Sequence, residues 1–151
     1  MTIAYTICSA NYLPFAKSLA DSLIKYNPDY LFIIALADTY NNYDHHFFTP
    51  HVVVPVSKMD ISFMEEMKSR YTIFELSCAL KPPVALYILK NYVDCNSIFY
   101  FDSDIMVFIQ QFNYMCKLLK TGFATIDCAQ KSLRARKSFV VLNNTYFYWF
   151  Q

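Results

Sequence analysis

The sequence predicts an α/β fold with a mainly parallel sheet flanked by helices. Short apolar, β-branched runs alternate with stretches of helical periodicity. One such run, "YLFIIALA" (Tyr30 to Ala37), is apolar on both faces, as a strand covered by helices on both sides must be. Hydrophobic residues make up 56% of the 151, enough to build the core of one domain and too many for a disordered chain.

Each element has its own justification. "TIAYTICS" (Thr2 to Ser9) is a strand by its β-branched, apolar content. In "NYLPFAKSLADSLIKYNPD", Leu13, Leu19, Leu23 and Ile24 fall at helical spacing, Pro14 suits a first turn, and Asn27-Pro28-Asp29 stops the helix. "YLFIIALAD" is the second strand. A polar loop, "TYNNYDHHFFTP", follows it. "HVVVPVS" reads as a third strand, and Pro55 sets it at a sheet edge or ends it early. "DISFMEEMKSR" reads as a short helix with Asp60 as its N-cap. "YTIFELSCALKPPVALYILKNY" is mostly helical, with Pro82 and Pro83 kinking it or starting a new helix. "SIFYFDSDIMVF" (Ser97 to Phe108) reads as a buried strand, "QQFNYMCKLLKT" as a helix and "GFATID" as a further strand. From Cys128 onward a basic stretch leads into an aromatic end, read as a final strand pair or as a domain that runs on past the chain's end.

Composition excludes several functions. Net charge is +1 with no long run of either sign, which argues against a nucleic-acid footprint. The longest apolar run falls well short of the roughly 18 to 20 residues of a membrane span, and the N-terminus lacks the basic start and cleavage pattern of a signal peptide. Five cysteines with no C-x-x-C pair read as reduced, buried small hydrophobes, which suggests the cytosol; a place at the inner face of a membrane stays open. His45, His46 and His51 read as residues of a solvated loop rather than a metal site. A single glycine, Gly122, excludes a Gly-rich phosphate loop, so any nucleotide site must be built another way.

The strand "SIFYFDSDIMVF" carries two carboxylates, Asp102 and Asp104, one residue apart. Burying charge is costly unless it is paired or bound to a metal. If the strand runs through them, both point to one face. If it ends near Phe101, both lie at its carboxyl edge, where ligands bind in open α/β sheets. Convergent carboxylates suit a hard divalent cation, Mg²⁺ or Mn²⁺, shared with substrate phosphates. D-x-D alone also describes turns and helix caps, but the apolar residues on both sides of this pair do not look like a surface turn.

"FELSCALKPPVALYILKN" followed by "SIFYFDSDIMVF" resembles the nucleotide-sugar-dependent glycosyltransferases of the GT-A fold, and among them the family 8 type and its bacterial relatives. "IAYTICSANYLPFAKSLADSLIKYNPDYLFIIALAD" resembles the opening of the same Rossmann-like domain. The resemblance implies a GT-A-like nucleotide-sugar-binding domain over residues 1–126, with 127–151 as a tail. It implies that Asp102 and Asp104 hold a Mn²⁺ (or Mg²⁺) bridging the diphosphate of a UDP-sugar. Ser9, Asn11 and Tyr12 match the loop that holds base and ribose, with Tyr12 stacking on the uracil. Lys81 matches a basic position that contacts the donor near the reacting sugar. The partners implied are a UDP-sugar and an acceptor that is a glycan, a lipid-linked glycan or a protein, with retention at the anomeric carbon. The family's further metal ligand, commonly a histidine, and its glycine-containing stretch by the sugar find no match after Gly122.

Plainer readings stand beside these. Tyr12 serves equally as a core or staple residue, Asn11 as a helix cap, and Lys81 as a helix-surface lysine. Asp38, ending the second strand, suits a turn better than a ribose hydroxyl. For the whole chain the alternatives are an incomplete domain that binds nucleotide weakly or not at all, without turnover, and a haloacid dehalogenase-type phosphatase. That phosphatase family places Thr or Val where Met106 stands here.

Overall fold

A computed structural model describes residues 1–38, 43–107 and 140–143. The predicted helix "QQFNYMCKLLKT" and strand "GFATID" lie outside them.

β1 (Thr2–Cys8) runs through the middle of a sheet of order β3-β2-β1-β4-β5. β2 (Tyr30–Leu36) pairs with it in parallel along its whole length, and β4 (Ser97–Tyr100) pairs in parallel on the other side, Tyr5 opposite Tyr100. β3 (Val52–Pro55) pairs in parallel with β2. As expected of Pro55, β3 stands at a sheet edge and stops there, because a proline has no N–H for the ladder. β5 (Val140–Asn143), in the stretch read as a tail, adds an antiparallel strand to β4. The fold is therefore α/β with a mainly parallel sheet flanked by helices.

Alternation along β1 feeds two cores. Ile3, Tyr5 and Ile7 face the layer formed by α3 (Met64–Arg70), α4 (Ile73–Ala79) and α5 (Lys81–Asn91), meeting Leu76, Leu80, Val84 and Ile88. Ala4 and Cys8 face α1 (Leu13–Tyr26), which buries Leu13, Ala16, Leu19, Ala20 and Leu23 at helical spacing. Ile24, predicted on that face, is only partly buried. Asn27 stops α1: its backbone and side-chain amides both donate to the Leu23 carbonyl, and Pro28 follows.

Pro82 and Pro83 start a new helix rather than kink an old one. α4 opens on a capping box, Thr72 and Glu75 each satisfying the other's backbone N–H, and α5 restarts at Lys81 with the prolines in its first turn.

The structure corrects three expectations. α3 begins at Met64, and its N-cap is Phe63, not Asp60. Both residues have positive φ, 47° for Asp60 and 70° for Phe63, so the chain makes two left-handed steps before the helix starts. The stretch read as a polar loop contains a short helix, α2 (His45–Phe48), capped by Asp44. His51 is not solvated: it is buried, its Nε2 lies 2.7 Å from Asp21 Oδ1, and its ring meets Phe32 edge-on. Cys8 and Cys95 are buried and Cys78 is partly buried, and among the described residues no helix is long and apolar enough to cross a membrane.

Candidate functional site: the carboxyl ends of β1 and β4

The strand order reverses at β1. The chain leaves it toward β2 by way of α1 on one face, and returns to β4 by way of α3, α4 and α5 on the other. Connections that diverge to opposite faces leave a crevice between the strand ends, and in open α/β sheets that is where ligands bind. Every site residue predicted from the sequence lies at or beside this edge.

Beyond β1, a 3-10 turn over Ala10–Tyr12 leads into α1. It is anchored to the end of β2: the Cys8 carbonyl accepts from Ala37 N–H at 2.9 Å, and both oxygens of Asp38 accept from Ala10 N–H, at 3.0 and 2.9 Å. Asp38 thus ties the end of β2 to the loop after β1, a role that neither sequence reading of it gave. Burial first, and the Asp38 charge second, push the Cys8 thiol beneath this loop up to about 12, so it stays neutral. Ser9 Oγ donates to Asn11 Oδ1. Asn11 does not cap α1, whose N-cap is Tyr12. Nor is Tyr12 a core residue: it is 44% exposed, its ring 5.6 Å from that of Phe15.

β4 ends at Tyr100, which settles the two readings of its acidic pair. Phe101 keeps one more contact with β1, its N–H donating to the Tyr5 carbonyl at 3.0 Å. The chain then turns at Ser103 and Asp104, with Ile105 N–H donating to the Asp102 carbonyl at 3.2 Å. Asp102 and Asp104 therefore lie at the carboxyl edge rather than along a continuing strand. Farther on, Val107 N–H donates to Ser22 Oγ at 3.0 Å, tying this segment to α1.

Asp102 stands in a cluster that the sequence reading only half found. Lys81, the first residue of α5, brings its ammonium to 3.5 Å from Asp102 Oδ1. The same ammonium lies 4.4 Å from the centre of the Tyr100 ring. The Tyr100 hydroxyl donates to that same Oδ1 at 2.8 Å. Tyr5 completes the set: its hydroxyl donates to the Lys81 carbonyl at 2.9 Å, and its ring meets Tyr100 edge-on at 5.3 Å. Burial, and then the Asp102 charge, hold the Tyr100 phenol far above its ordinary range, so it remains a neutral donor. Alternation could have flagged Tyr100, since position i−2 shares a face with Asp102. Tyr5 joins only through strand pairing, which no local signal reports.

The donor chemistry fits a hard cation. Among the described residues no group of three or more His, Cys, Asp or Glu could hold a metal. Two carboxylates are a typical protein share for Mg²⁺ or Mn²⁺, which fill the remaining positions with substrate phosphates and water. They do not meet the closed ligand set of a structural zinc.

A cavity of about 590 Å³ lies elsewhere, between the Met59–Phe63 stretch and α5, with Lys58, Asp60, Met67, Leu86 and Lys90 in its wall. None of the predicted site residues lines it. The strand ends are the better candidate, because a paired carboxylate, a lysine and an anchored loop meet there at a switch point.

No family model matches the chain, and no curated protein matches it. Among solved structures, one of the galactosyltransferase LgtC in complex with donor and acceptor sugar analogues is 18% identical, with a TM-score of 0.45. The match covers 76% of this chain and 41% of LgtC.

Proposed function

We propose that the chain is the donor-binding part of a metal-dependent GT-A glycosyltransferase of the family 8 kind, which moves a sugar from a UDP-sugar to an acceptor. The observation that carries this reading is the Lys81–Asp102 pair at the carboxyl end of β4, beside the switch point. Opposite charges placed together suit a ligand that is both metal-bound and anionic, as a diphosphate is.

Asp102 and Asp104 would hold Mn²⁺ or Mg²⁺, which when bound neutralises diphosphate charge. Lys81 would stabilise the charge that develops on a departing diphosphate. The anchored Ser9–Tyr12 loop presents a hydroxyl, an amide and an exposed ring for ribose and uracil. The acceptor is a glycan, a lipid-linked glycan or a protein.

A thermal melt with UDP, with Mn²⁺ and with both tests the reading, on the wild type and on Asp104→Asn. A ligand at a hundred times its Kd adds about 2.7 kcal/mol, or several degrees of Tm for a chain of this size. The expected rise needs both ligands and is lost in Asp104→Asn. No rise in a cooperatively melting protein sinks the donor-site assignment. The second reading, carried over from the sequence, is a chain that binds donor without turnover. A melting shift with no release of UDP from any UDP-sugar would identify it.

A further inference from the structure

We infer that Lys81 and Tyr100 form a latch on Asp102 that makes cation and diphosphate bind together rather than separately. The inference rests on the donor-site reading above. Its basis is that one oxygen, Asp102 Oδ1, accepts from the Tyr100 hydroxyl at 2.8 Å and faces the Lys81 ammonium at 3.5 Å.

The two contacts differ in kind. Tyr100 is buried, and its ring is fixed against Tyr5, so its hydrogen bond sets the carboxylate in one orientation. The ammonium sits farther out than the ~2.8 Å of a tight charge-assisted bond. Both members of that pair are about one-third exposed, Lys81 at 32% and Asp102 at 34%. This pair is the part that yields.

A hard cation takes carboxylate oxygens at about 2.0–2.6 Å and repels an ammonium standing at the same oxygen. With no other partner, Lys81 opposes the cation's arrival. A diphosphate changes this, because its oxygens give the ammonium a new anionic partner. Each ligand then removes an obstacle to the other, which is a coupling free energy between two sites and is reciprocal. Tyr100 keeps Asp102 aimed while Lys81 changes partner, and the face of the Tyr100 ring gives the ammonium a resting place 4.4 Å from its centre. Tyr100 is thus a positioning residue, and Lys81 acts as a gate as well as a donor contact.

Mn²⁺ binding, read from the electron paramagnetic resonance signal of the free ion, tests this with and without saturating UDP. In the wild type UDP should tighten Mn²⁺ by about tenfold. In Lys81→Met, Mn²⁺ alone should bind tighter than in the wild type, and the UDP enhancement should largely disappear. A lysine that only contacted the donor would leave binding of Mn²⁺ alone unchanged. Tyr100→Phe keeps the ring and loses the hydroxyl, so it should weaken Mn²⁺ both with and without UDP while still melting cooperatively. If the wild type shows the enhancement but Lys81→Met binds Mn²⁺ alone no better, the latch is wrong and the donor site stands. If folded wild type binds neither ligand, both fall.

Discussion

Thr6 sits in the middle of β1, fully buried, and its hydroxyl finds no hydrogen-bond partner among the described residues. A buried hydroxyl without a partner loses its water and gains nothing in return. Replacing it with an isosteric methyl, Thr6→Val, should stabilise the protein by about 1 kcal/mol and raise Tm by roughly 2–4 °C. A thermal melt in which Thr6→Val matched or fell below the wild type would show that the hydroxyl is satisfied. The same scale shows what the sequence revealed of the site. Asp102 stood out because acidic residues are rare inside apolar strands, but its pairing with Lys81 was not foreseen: the family resemblance gave one as a metal ligand and the other as a donor contact. The Tyr5 hydroxyl gave no signal among thirteen tyrosines, because its partner, the Lys81 carbonyl, is remote in sequence, whereas Tyr100 stands two residues from Asp102 and alternation could have flagged it.

At the scale of elements, capping chemistry was readable only where a local motif encoded it. Thr72 and Glu75 form such a motif, which the sequence reading passed over, and the structure closes both bonds of the box. Thr72→Ala should cost about 1 kcal/mol, seen as a lowered Tm, and because α4 abuts the start of α5 it should also loosen Lys81. A Thr72→Ser variant keeps the bond and should restore most of the loss. α3 shows the opposite case. Asp60 looks like a cap by residue type, yet the chain runs on through two left-handed positions before the helix begins. A sequence with one glycine must place left-handed steps on other residues, and nothing local marks which. Strands were legible where both faces were apolar or a proline set the end. β5, joined to the sheet only by distant pairing with β4, was open in the sequence reading.

For the whole molecule, one charge cluster links the first helix to the edge of the sheet. Asp21 on α1 lies 2.6 Å from the Lys17 ammonium and 2.7 Å from the His51 ring just before β3. Burial pushes the Asp21 carboxyl up, but the hydrogen bonds and charges of Lys17 and His51 outweigh it and leave it below its ordinary value. A carboxylate depressed by folding stabilises the protein above its unfolded pKa, near 3.9, and the benefit fades as pH falls through the folded value. The difference in Tm between wild type and Asp21→Asn should therefore be largest near neutral pH and shrink below about pH 4. A difference that stayed constant across that range would show that Asp21 contributes packing rather than charge. The fold as a whole was the most legible feature, since its alternation of strands and helices is written in local periodicity. The contacts holding its ends together were not.

The place of β1 at the centre of the sheet also sets an order of assembly. β1 and β2 are close in sequence, with β3 soon after, so that half of the sheet can pair while synthesis continues. The other side of β1 must wait for β4, a far more distant partner, and distant pairings are the slow ones. Until then β1 shows an open apolar edge, and the Tyr5 hydroxyl waits for the Lys81 carbonyl. The crevice beside β1 thus forms only once β4 has been made, and β5 joins the sheet later still. A nascent chain stalled before Ser97 would carry a sound half-sheet and no binding site, with its stickiest edge turned toward other chains and holdase chaperones.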